Sequence, residues 1–215
     1  MSQNLESKII KRMKEINPDT CADVRVADVE FHSQVDAITN LLESHSKDSK
    51  DTLTDSAIFL SMIEMMADAL SEWELLKSNV VADIELADNE QIESWNLDYL
   101  THQLEYEVAH KTEKSVITYD VDEALCSKVQ ECHKMYDAVN AVVENLVSVH
   151  KNDVNTTIIA SPVFKGFLNL KAKYFADYKA AQNEVQTKYI PAEIVVKKPD
   201  WTLDYKTRVL TVDQV

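Results

Sequence analysis

Gly166 is the single glycine in 215 residues, where ordinary usage of about 7% would give on the order of fifteen. That scarcity removes whole classes of machinery. Phosphate-cradling loops, dinucleotide-binding turns and nucleophile elbows all place glycine where the backbone turns sharply or a ligand approaches it closely. A calcium-binding EF-hand loop needs glycine at its sixth position, so the acid-rich stretch Asp48 to Asp55 reads as a solvated linker. All-β folds are disfavoured as well, because tight hairpins lean on glycine for positive φ. Helices do not need it.

The expected fold is therefore mainly α: about six helices in a bundle, with a long antiparallel helical hairpin and a short C-terminal β-hairpin or extended arm. Residues 1–189 would form the helical domain and residues 190–215 the arm. Leu5, Ile9, Ile10, Met13 and Ile16 form a first stripe, capped by Ser2 and ended by Asn17-Pro18-Asp19. Phe31, Val35, Ile38 and Leu42 mark a second helix over about Asp28 to Ser44, and the segment with Val24 and Val26 before it reads as loop. A third helix, about Asp55 to Ser78, is apolar on most sides and so is expected to be buried on most sides. The run VVADIEL after it fits strand or helix equally. Ile92, Trp95, Tyr99, Leu100, Leu104 and Val108 give a fourth helix over about Asn89 to Lys111.

The fifth helix carries Leu125, Val129, Cys132, Tyr136, Val139, Val143 and Leu146 in alternating steps of four and three, a coiled-coil-like seam. Ser161-Pro162 then offers an N-cap with proline at the first helical position. The hairpin partners would span about 121–150 and 161–188. Beyond Ile190-Pro191, the runs AEIVVKK and YKTRVLTV bracket a Pro-Asp turn that holds Trp201. No internal repeat is evident.

The first residues show no apolar signal core, and no run approaches ~18 apolar residues, so a cytoplasmic protein without membrane contact is expected. Cys21, Cys126 and Cys132 are an odd set without Cys-x-x-Cys spacing, which suits free thiols better than disulfides or zinc.

Charge is the main functional clue. The net −15 divides into +2 for residues 1–17, −17 for 18–110, −3 for 111–160 and +3 for 161–215. Such an acidic middle suits a basic protein partner or a neighbouring subunit, in a head-to-tail oligomer if the basic first helix or the C-terminal arm docks there. Direct nucleic-acid binding is not expected, since phosphate contacts need basic clusters. The candidate contact residues are Asp83, Glu85, Asp88, Glu90 and Glu93, with Trp201 as an anchor.

Glu107-x-x-His110 would put a carboxylate and an imidazole on one helical face, with Glu64 as a third ligand, if a ferritin-like metal site existed. The pattern occurs once where such sites need it twice. Cys132 and His133 are adjacent and point apart on a helix, and Phe164, Phe167, Tyr174, Phe175 and Tyr178 read as core. The expectation is a non-enzymatic helical interaction or assembly protein without cofactor, which self-associates through the long hairpin and the C-terminal arm or binds a basic partner through its acidic middle and that arm. A helical metalloenzyme and an acidic nucleic-acid mimic are the alternatives.

Overall fold

The computed structural model describes residues 9–110, 115–151 and 157–213. In chain order the elements are β1 (Ile10–Glu15), α1 (Pro18–Ser44), α2 (Ala57–Ala82), β2 (Glu90–Asp98), β3 (Gln103–His110) and β4 (Val116–Asp120). They continue with α3 (Glu123–His150), α4 (Thr157–Ala160), α5 (Pro162–Tyr189), α6 (Ala192–Val195), β5 (Trp201–Asp204) and β6 (Val209–Asp213). The protein is mainly helical and ends in a β-hairpin, as expected. Among the described residues no helix is long and apolar enough to cross a membrane.

The chain forms two compact units, residues 1–29 with 72–113 and residues 30–71 with 114–215. The first unit holds a three-stranded antiparallel sheet in the order β1-β3-β2. Its core gathers Ile16, Cys21, Val24, Val80, Leu104 and Val108. The second holds a sheet in the order β4-β6-β5 over Val121, Cys126, Val129, Val185, Leu210 and Val212.

The two cores correspond at Ile16 and Val121, Cys21 and Cys126, Val24 and Val129, and Leu104 and Leu210. Each half of the chain runs strand, helix, helix, hairpin, with α4 and α6 added in the second. Trp95-Asn96-Leu97-Asp98-Tyr99-Leu100-Thr101-His102-Gln103-Leu104 and Trp201-Thr202-Leu203-Asp204-Tyr205-Lys206-Thr207-Arg208-Val209-Leu210 share six of ten residues. Both stretches fold alike. Asp98 Oδ1 accepts the N–H groups of Leu100 (2.8 Å) and Thr101 (3.2 Å), and Asp204 Oδ1 accepts those of Lys206 (2.8 Å) and Thr207 (3.0 Å). Ile16 N–H bonds the carbonyl of His102 at 2.9 Å, as Val121 N–H bonds that of Arg208 at 2.9 Å. Cys21 and Cys126 are both buried one turn into their helices. The chain is a duplicated β-α-α-β-β unit, and the expectation of no internal repeat is corrected.

Both hairpins form without glycine. His102 (φ 55°) and Arg208 (φ 60°) take the left-handed conformation that glycine usually supplies, at a cost of about 1 kcal/mol each. The aspartate at the start of each turn and the packed strands offset it.

Two expected helices are strands. The stripe Leu5 to Ile16 includes β1, in which Ile10 and Met13 are exposed; Leu5 lies outside the described residues. The expected helix Asn89–Lys111 is the β2–β3 hairpin. A β-bulge at Glu93 shifts the register between Ile92 and Ser94, so Ile92 and Trp95, three apart, share a face as they would on a helix. The residues after Pro18 that read as loop are instead the first turns of α1, with Asn17 accepting the N–H of Asp19 at its start. VVADIEL ends α2 and enters a loop. In AEIVVKK the structure has α6 rather than strand, and Trp201 opens β5 instead of occupying a turn.

The long helical hairpin is present. Lys128 meets Glu184, His133 stacks on Tyr178, and Tyr136 meets Phe175, so rising numbers on α3 meet falling numbers on α5. Ser161 caps α5 through the N–H of Phe164 (3.2 Å), with Pro162 next. Burial on α3 includes Cys126, Met135, Ala138 and Val142, a band wider than the expected seam. α3 is also tied to α1 by Asn145 to Thr39 (3.1 Å) and His150 to Glu43 (2.7 Å). The linker expectation for Asp48 to Asp55 is corrected by Thr54, which is 3% exposed and packs with Asp51 over Gly166.

Candidate functional site: the charged face of the first sheet

Strand alternation places Lys11 and Met13 on the open face of the first sheet and Arg12 and Lys14 on the other. Across the sheet, Met13 lies opposite Glu105 and Glu105 opposite Asn96, while Lys11 and Ser94 flank Glu107. These six side chains line a trough of about 300 Å³.

Every basic residue of β1 is engaged with the segment 83–110. Arg12 holds Glu90 with two bonds, Nη1 to Oε2 at 2.8 Å and Nη2 to Oε1 at 2.5 Å. Lys11 Nζ stands 3.2 Å from Glu107 Oε1, and Lys14 Nζ donates to the Asp83 carbonyl at 2.6 Å. The Arg12 bonds, helped by the N–H of Ala87, hold the Glu90 carboxyl below its ordinary range. Glu107 is lowered by the Ser94 hydroxyl and by Lys11. Both are ionised at neutral pH.

The residues singled out from the sequence therefore separate. Glu85 and Asp88 are exposed in the loop before β2, and Asp83 contributes its carbonyl. Glu90 is buried in the pair with Arg12. Glu93 is the exposed bulge residue and accepts from Gln91 Nε2 at 2.5 Å. Trp201 is half-buried against the core of its own sheet. The Glu-x-x-His reading is corrected: Glu107 and His110 lie three apart on a strand and project to opposite faces. Glu64 is exposed on α2. Among the described residues no group of three or more His, Cys, Asp or Glu is arranged to hold a metal ion.

A second arrangement escaped sequence reading because its members are far apart along the chain. His133 Nε2 is 3.0 Å from Asp137 Oδ2, its Nδ1 is 3.2 Å from the Tyr205 hydroxyl, and its ring stacks on Tyr178 at 4.5 Å. Burial raises the Tyr205 phenol above its ordinary range, and raises Tyr178 and Asp137 as well. At the equivalent place in the first sheet, the Tyr99 hydroxyl meets Asp28 and Trp73. Phenols held protonated act as donors rather than nucleophiles. Each ties a hairpin turn to its helices.

The second sheet serves as an internal reference for the first. Its row equivalent to Met13, Glu105 and Asn96 is Thr118, Thr211 and Thr202. Beneath it, Ile117 stands where Arg12 stands. At these positions the same fold is built once with Arg12 and Glu105 and once with Ile117 and Thr211, so neither charge is demanded by the fold, whereas the place of Glu107 keeps a carboxylate in Asp213. Family models, curated proteins and solved structures offer no match to this chain.

Proposed function

We propose that this chain is a non-enzymatic interaction and assembly subunit, and that its acidic β2–β3 hairpin receives a basic protein segment. The observation that carries this reading is β1 itself: Arg12 and Lys11 engage Glu90 and Glu107 of the hairpin, and Lys14 engages Asp83 just before it. The chain thereby displays the kind of segment this surface accepts. The neutral row Thr118, Thr211 and Thr202 on the equivalent sheet supports a role for Glu105 beyond folding.

The C-terminal hairpin takes a different part in this reading. Leu210 and Val212 are fully buried in their own unit, so in this reading residues 190–213 act as part of the body and not as a free assembly arm.

Light scattering at low and high salt tests the proposal. Association that weakens as salt rises, and weakens again in Glu105→Lys, is the expected result. A chain that is monomeric at every ionic strength and ignores lysine-rich peptides would overturn it.

A further inference from the structure

We infer that β1 is an exchangeable strand, and that the β3 edge it covers is a docking site for the β1 of a second copy. This rests on the proposed reading of the hairpin as a receiving surface, and adds the identity of the occupant and the mode of binding.

Three observations carry it. First, β1 is weakly anchored. None of its six residues is buried, and Ile10 and Met13 are exposed. Its equivalent, β4, has the same alternation and no buried residue either, but where Arg12 and Lys14 are half-buried in β1 it places Ile117 and Tyr119, and Tyr119 packs on the core. What holds β1 is a backbone ladder, two ion pairs and one bond to a carbonyl. A second β1 would restore all of them, so exchange changes little in free energy beyond the entropy of association.

Second, the hinge is short. Glu15 ends β1 and Asn17 already begins α1, its carbonyl accepting the N–H of Cys21 at 3.0 Å. Ile16 alone turns the chain. Short hinges favour exchange, because an extended connection relieves the turn.

Third, the charge pattern selects the docking mode. Side-by-side antiparallel pairing of two β1 edges would bring Lys11, Arg12 and Lys14 of both copies together, which is repulsive. Docking on β3 places the same residues beside Glu107 and Glu90 and the Asp83 carbonyl. The second copy therefore enters by replacing β1, not by adding to it.

Cysteine trapping distinguishes exchange from closure. Met13 and Glu105 face each other in register on the open side of the sheet. Two full-length proteins, Met13→Cys and Glu105→Cys, are prepared in a Cys132→Ser background, since Cys132 is the half-exposed native thiol. They are mixed at low salt under oxidised glutathione. Exchange predicts a disulfide-linked heterodimer at twice the chain mass, at least several-fold more abundant than from either protein alone, and depleted at high salt. The double variant Met13→Cys/Glu105→Cys must close within one chain, which verifies that the pair is competent. If it closes while the mixture yields no heterodimer, and light scattering still shows salt-sensitive association, exchange is overturned and the receiving surface stands. If the mixture stays monomeric by both measures, exchange is overturned, and failure to bind lysine-rich peptides would remove the underlying reading too.

Discussion

Arg12 and Ile117 occupy the same position in two equivalent strands: Arg12 lies opposite Tyr106, which faces Trp95, and Ile117 lies opposite Val212, which faces Trp201. One duplicated framework thus carries a guanidinium in one copy and an aliphatic side chain in the other. Arg12→Ile alone leaves Glu90 buried without its partner, and should lower the urea midpoint clearly. Arg12→Ile/Glu90→Gln should recover most of that loss, while the salt dependence of association falls. Equal losses in the single and double variants would mean that the pair does not stabilise β1.

Gly166 supplies a second test. A methyl at this position would lie 1.7 Å from Asp51 Oδ2 and 2.6 Å from Thr54 Oγ1. Asp51 has little freedom to withdraw, since Oδ1 accepts the N–H of Leu53 at 3.0 Å and that of Thr54 at 3.2 Å. Helix propensity alone would make Gly166→Ala stabilising by about 1 kcal/mol. Close packing reverses the sign, to a loss of about 1–3 kcal/mol. In an Asp51→Ala background the same change should cost less, and chemical denaturation of the four proteins gives the coupling.

Leu210 is fully buried on the central strand of the second sheet. Leu210→Ala should cost about 2–5 kcal/mol, as for any core leucine. A change below about 0.5 kcal/mol, the range of surface substitutions, would show that the C-terminal hairpin is detached in solution.

Asp122 gives a pH signature. It caps α3 through the N–H of Leu125 (3.0 Å) and takes bonds from Lys188 (2.7 Å) and Tyr189 (2.8 Å). The Lys188 bond leads in holding its carboxyl far below the usual range. A depressed native value means stability that is complete above the unfolded value of about 3.9 and is lost as pH falls through the native one. Asp122→Asn should therefore be less stable than the parent at neutral pH. The gap should narrow below about pH 4. Urea midpoints across that range would show a constant gap if the charge were irrelevant.

The α3–α5 pair was legible because Ser161-Pro162 fixes a start and the apolar stripe runs long. The first sheet was not. Leu104 and Val108 are four apart, a spacing that satisfies a helix and a strand alike, and the alternation with Glu105 and Glu107 between them was the better guide. The bulge at Glu93 gave β2 a helical step. Asn17-Pro18 read as a stop, although asparagine at the cap and proline at the first position also start helices. With no glycine at His102 or Arg208, neither turn announced itself. The one signal that could have exposed both hairpins was the shared Trp-x-Leu-Asp-Tyr-x-Thr of residues 95–101 and 201–207. Of the candidate site, the acidity of the segment was legible; its pairing with Lys11 and Arg12 was not, because it depends on strand register.

The most direct test of the receiving surface is titration of a labelled peptide with the sequence of Ile9–Ile16 into the full chain, followed by fluorescence anisotropy. The peptide should bind at low salt and release at high salt. It should bind several-fold more tightly to the Arg12→Ala chain, whose own strand competes less well for β3. Affinity that is unmeasurable for both chains, or unchanged by salt and by Arg12→Ala, would contradict the proposal that the β2–β3 hairpin accepts a basic strand.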